Sequence, residues 1–131
     1  MGKSFLLVGG SSDIGLRLAT MLLDEGHGVT LLARDGERVD HLVAKGAVLV
    51  QGDALDEETV QTAVATASEA GENGLSGMAH LVGSIALRPP HATKLEDFQS
   101  VLQTNLVSAF LALKTAGKAM LKLGQGRMVF T

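Results

Sequence analysis

The residues with the clearest chemical purpose lie near the start of the chain. There Phe5-Leu6-Leu7-Val8 runs directly into Gly9-Gly10-Ser11-Ser12-Asp13-Ile14-Gly15. An apolar run, a glycine turn and then a helical repeat is an arrangement that suits a phosphate. Glycines let the backbone turn tightly and approach a pyrophosphate, while free amides and the positive end of the helix dipole favour its charge. The dinucleotide fingerprint fails at its middle glycine, because Gly10-Ser11-Ser12 has Ser there, and a merely tight strand-to-helix turn is the plain alternative. The order of strand, turn and helix favours the phosphate. It places Gly9, Ser11, Ser12, Asp13, Ile14 and Gly15 at the ligand. Roughly twenty residues on, where a dinucleotide fold meets the adenosine ribose, an acid selects NAD and an arginine selects the 2′-phosphate of NADP. This chain has Leu32-Ala33-Arg34-Asp35 there, with Arg38 close by.

The elements that must hold these residues alternate in period. Apolar runs of strand length at Lys3 to Val8, His27 to Leu32, Ala47 to Gln51, Gly77 to Val82 and Arg127 to Thr131 are separated by stretches of helical spacing. The first helix is expected from Asp13 to Glu25, with Ile14, Leu18, Ala19 and Leu22 on its buried face and Gly26 ending it. A short helix over Val39 to Lys45 precedes Gly46, and Asp56 caps a helix over Glu57 to Ala70. Thr93 and Glu96 form a capping box for a long helix from about Lys94 to Leu123, kinked near Asn105 or Gly117. Five strands alternating with helices predict a parallel sheet covered on both faces, a three-layer α/β/α arrangement. It is a Rossmann-type doubly wound sheet that stops after its fifth strand.

On these motifs the chain resembles the short-chain dehydrogenase/reductase family, whose turn reads Thr-Gly-x-x-x-Gly-x-Gly. Gly9 and Gly15 match the first and last glycines, Val8 replaces the Thr and Asp13 replaces the middle glycine. A carboxylate there would repel a pyrophosphate unless Asp13 turns back to cap the first helix, which is the favoured reading. Gly9, Ser12 and Gly15 also fit the extended branch of the superfamily, so the turn alone leaves the branch open. In the family's terms Ala33 holds the acid-bearing position and Arg34 follows it, so the resemblance implies NADP(H), with NAD(H) as the alternative and Arg38 as a helper. A solvated arginine at a strand end is the other reading of Arg34, and Asp35 is placed to turn back onto either arginine. Asp53 and Ala54 match the family's contact near the adenine ring, although Asp53 also suits a simple turn. Where the family has Asn-Asn-Ala-Gly, this chain has His80-Leu81-Val82-Gly83. Only the glycine is kept, with Val82 and Gly83 passing beside the cofactor. Asn105 falls where the resemblance implies a structural and catalytic asparagine whose carbonyl fixes a water on a proton-relay path.

The family's Ser, Tyr and Lys, which position substrate and protonate the alkoxide formed by hydride transfer, are not in this chain; it contains no Tyr at all. The resemblance therefore implies the cofactor-binding front half of an oxidoreductase acting on a small carbonyl or alcohol substrate, with residues 1–131 as one NAD(P)-binding domain that is inactive alone. A non-catalytic nucleotide-sensing or interaction module on the same scaffold is the second reading. A net charge of −3 argues against bulk binding to nucleic acid. Zero cysteines exclude a disulfide framework and a Cys-type zinc site. His27, His41, His80 and His91 lack metal-ligand spacing and read as surface or satisfied core residues, so no metal is expected. The opening apolar run is too short for a signal peptide or a membrane span, so a cytoplasmic chain is expected. Leu102, Leu106, Phe110 and Leu113 suit either a core or a helix-pairing face, the latter being what the resemblance implies, and homo-oligomerisation is the expectation.

Overall fold

The computed structural model describes residues 2–131. Five parallel strands form one sheet in the order β3-β2-β1-β4-β5. They are β1 (Ser4–Val8), β2 (Gly28–Ala33), β3 (Val48–Gln51), β4 (Gly77–His80) and β5 (Arg127–Phe130). Side chains alternate across a strand, so the continuous apolar run of β1 feeds two cores at once. Leu6 and Val8 face one way, joining Leu32, Met78 and the buried faces of α3 (Glu57–Ala70) and α5 (Ser108–Leu123). Leu7 faces the other way with Val29, Leu31 and Ala79, beneath α1 (Asp13–Asp24) and α2 (Asp40–Ala44). This is the Rossmann-like three-layer arrangement. Among the described residues, no helix is long and apolar enough to cross a membrane.

Several boundaries differ from expectation for local reasons. β4 ends at His80, two residues early, since Leu81 makes one more backbone bond to Val8 and the chain then leaves the sheet. Ile14 is 62% exposed, against the buried face expected of it. Its turn starts at the carboxyl edge of the sheet, beyond the strands that Ala19 reaches. The Thr93 capping box does not form: α4 (Leu95–Leu102) begins after Lys94 with no side-chain cap. The Thr93 hydroxyl instead donates to the Pro89 carbonyl at 2.9 Å, closing the single 3₁₀ turn that Pro90 opens. Asp56 is the N-cap of α3 by position, yet its carboxylate takes the Thr59 hydroxyl at 2.5 Å rather than an amide.

The long helix is two helices joined by a π-helical turn over Gln103–Val107. The departure falls at Asn105; Gly117 lies in regular α5. Leu102, Leu106, Phe110 and Leu113 face outward along this element, exposed by 41%, 64%, 57% and 47%, which removes the core reading for them.

Candidate functional site

The connections leaving β1 and β4 run to opposite faces of the sheet, β1 toward α1 and β4 toward α4 and α5. Between these two adjacent strands a crevice of about 270 Å³ opens at their carboxyl ends. Such a reversal point is where open α/β sheets place ligands. Its first wall is the glycine turn. Gly9 adopts φ +89°, and a Cβ on it would stand 3.0 Å from the backbone of Leu81 and Val82, so only glycine fits there. The Gly9 and Gly10 amides both donate to the Leu32 carbonyl, at 2.9 and 3.1 Å, which fastens the turn to β2.

Ser12, not Asp13, caps α1. Ser12 has extended backbone, φ −70° and ψ 160°, and its hydroxyl accepts the Gly15 amide at 3.0 Å. Asp13 is already helical, so its carboxylate points away from the amides, and the cap expected of it is not made. It pairs instead with Arg38 Nη2 at 2.9 Å, with 97% of its side chain exposed. Among the described residues the amides of Ser11, Asp13 and Ile14 have no acceptor in the chain, the ordinary condition of a helix start and the donor set an anion needs.

Gly9, Ser11, Ser12, Arg34, Asp53, Ala54, Val82 and Gly83 all line the crevice. Asp13, Ile14, Gly15 and Asn105 do not; the first two offer amides at its edge, and Gly15 lets the helix pack on the turn. Arg34 is exposed at the end of β2, and no described carboxylate pairs with it. Asp35 does not turn back onto an arginine, because its carboxylate accepts the Glu37 amide at 3.1 Å and shapes the next turn. Asp53 makes a turn of its own, accepting the Leu55 amide at 2.9 Å, while lining the crevice.

Asn105 clamps the loop after β4. Its side-chain amide donates to the Ser84 carbonyl at 2.7 Å and its oxygen accepts the Ser84 amide at 3.0 Å. Thr104 and Ser108, on the same turn, line the crevice and were not expected there. Their spacing from each other was the available signal, since residues four apart share a helix face. His80 lies behind them, 1% exposed, with Nε2 2.8 Å from Ser108 Oγ. Burial pushes its imidazole below the ordinary value of 6.5, with its own backbone hydrogen bond acting the other way.

Comparison with known proteins agrees with this geometry. The family model for short chain dehydrogenase matches residues 3–131. The chain belongs to the short-chain dehydrogenase family. Within that family it is 30% identical to D-threitol dehydrogenase of Mycolicibacterium smegmatis over 98% of this chain and 51% of that protein. It is 29% identical to 3-hydroxyacyl-CoA dehydrogenase type-2 of Bos taurus, over 91% of this chain and 49% of that protein. Among solved structures, a short-chain type dehydrogenase/reductase from Mycobacterium ulcerans superposes with a TM-score of 0.88 at 25% identity, covering 98% of this chain and 50% of that one. ElxO with NADP bound gives 0.86 at 27% identity, covering 99% and 55%. The chain thus spans about half the length of the relatives it matches. The residues present fit a dinucleotide: a glycine that admits no Cβ, acceptor-free amides at a helix start, and an arginine lining the crevice at the end of β2.

Proposed function

We propose that this chain is the NADP(H)-binding portion of an oxidoreductase that moves a hydride between the nicotinamide and a carbonyl or alcohol substrate. The observation that carries the reading is the crevice itself: the Gly9 to Ser12 turn and the start of α1 on one side, Arg34 and Arg38 on another. The Ser11, Asp13 and Ile14 amides would hold the diphosphate, and Arg34 would meet the 2′-phosphate with Arg38 assisting. Asp53 and Ala54 would lie by the adenine, and Val82 and Gly83 along the cofactor's other half. Asn105 would hold the loop that carries them. When bound, the dinucleotide supplies the hydride; this chain's residues bind and orient it. Residues 1–131 on this reading form one NAD(P)-binding domain.

A second reading, a nucleotide-binding module without catalysis, is favoured by Asp13, whose carboxylate stands where the family has glycine, and by His80-Leu81 standing where the family has Asn-Asn. Calorimetric titration tests the cofactor assignment. NADPH binds about tenfold more tightly than NADH, a difference of the size one charge-assisted phosphate contact supplies, and Arg34→Ala removes it. A preference for NADH that survives Arg34→Ala ends the NADP(H) reading.

A further inference from the structure

His80 and Ser84 stand at two ends of the segment that forms one crevice wall, and both are fastened to the same π turn. At one end Asn105 grips the Ser84 backbone through two hydrogen bonds. At the other, His80 Nε2 meets the Ser108 hydroxyl at 2.8 Å, and that hydroxyl lies 2.5 Å from the Thr104 carbonyl. Leu81, Val82 and Gly83, between the fastenings, line the crevice, and a Cβ on Gly83 would stand 3.0 Å from Asn105 Oδ1.

Donor counting fixes the direction of the buried chain of bonds. A carbonyl only accepts, so the single hydroxyl proton of Ser108 goes to Thr104, and the hydroxyl oxygen must accept from His80. The imidazole therefore carries its proton on Nε2. The reason Thr104 needs the hydroxyl is also visible. In a regular α-helix the Ser108 amide would bond the Thr104 carbonyl; here it reaches back five residues to Gln103. The Ser108 hydroxyl takes the place of that amide, and His80 holds the hydroxyl in the rotamer that does so. Ser108 is 0% exposed and His80 1%, so water does not compete for these groups. The Phe130 ring closes against the imidazole with centroids 5.7 Å apart.

We propose that His80 is a positioning residue: acting through Ser108 on the Thr104 carbonyl, it holds the π turn in the shape that keeps Asn105 on Ser84 and the 81–83 wall of the crevice in place. This rests on the dinucleotide reading for its functional consequence, but its structural part is readable without any cofactor.

The test uses the whole chain, labelled with ¹⁵N. Long-range imidazole spectra show the His80 proton on Nε2, and exchange of the Ser84 amide is followed in His80→Leu, Ser108→Ala and His80→Gln. Leu and Ala each speed Ser84 exchange about tenfold, the worth of one buried hydrogen bond, and the double variant adds little to either. Gln offers a donor near the Nε2 position and restores wild-type exchange. NADPH affinity falls about tenfold in the first two variants and returns with Gln. A proton found on Nδ1, or Ser84 exchange unchanged in Ser108→Ala, overturns the proposal, and Ser108→Ala serves even if His80→Leu does not fold. Absence of NADPH binding by the wild-type chain, with the exchange pattern as described, refutes the dinucleotide reading and leaves His80 as the support of this wall.

Discussion

Gly15→Ala separates two effects that pull in opposite directions. Gly15 sits in the first turn of α1, where alanine would normally add about 1 kcal/mol by helix propensity. Its Cβ, however, would stand 2.8 Å from the carbonyl oxygens of both Gly9 and Gly10 and 3.0 Å from the Gly10 carbonyl carbon. All three are backbone atoms of a turn held to Leu32 by two hydrogen bonds, so they yield only by lifting the helix start. Overpacking of this kind costs about 1–3 kcal/mol, leaving a net loss of about 1 kcal/mol, which lowers the melting temperature by about 4 °C. Gly10→Ala is the control. Its Cβ would stand 2.8 Å from Leu31 Cδ2, which can rotate, and 3.0 Å from Leu31 Cβ, which cannot, so it crowds β2 without pressing on the carbonyls of the turn. Thermal melts by circular dichroism with NADPH titrations on both variants read the outcome. Gly15→Ala should lose most NADPH affinity with its modest loss of stability, while Gly10→Ala binds more nearly as wild type. Equal affinities for Gly15→Ala and wild type would refute the packing argument.

Three further outcomes follow from the same geometry. Burial lowers the His80 pKa below 6.5 in the fold, so the unfolded chain takes up the proton first; stability is full above 6.5 and declines as pH falls from there toward the folded value. His80→Gln flattens that part of a urea-denaturation pH series, the remaining histidines being common to both proteins. Asp13→Asn frees Arg38 from its carboxylate partner and removes a negative charge beside the helix start; NADPH binds about threefold more tightly at low salt, and the gain shrinks at 1 M salt. The outward stripe of Leu102, Leu106, Phe110 and Leu113 is exposed, and the expected outcome is self-association through it: light scattering shows an oligomer that Phe110→Glu dissociates, and a wild-type monomer at high concentration contradicts this.

The centre of the sheet was legible because β1, β2 and β4 are buried on both faces. Runs such as Leu6-Leu7-Val8 admit no other reading beside a glycine turn, and the cap glycines mark where helices stop. The turn's contribution to the crevice was legible for the same reason: strand, glycines and helix are contiguous in sequence. What escaped depends on contacts made over distance or on rotamers. Ser12 rather than Asp13 caps α1 because of a backbone dihedral that neither letter reveals. The π turn at Asn105 was foreseen only as a kink, since its cause includes a histidine 28 residues from Ser108. The Thr93 hydroxyl donates back to the Pro89 carbonyl instead of accepting an amide of the helix that follows.

The direct measurement is a map of backbone amide shifts as NADPH is added to the ¹⁵N-labelled chain. Saturable shifts at Gly9 to Gly15, Arg34, Asp53 and Gly83 are the predicted result; a chain whose amides at those positions stay unmoved at millimolar NADPH contradicts the account.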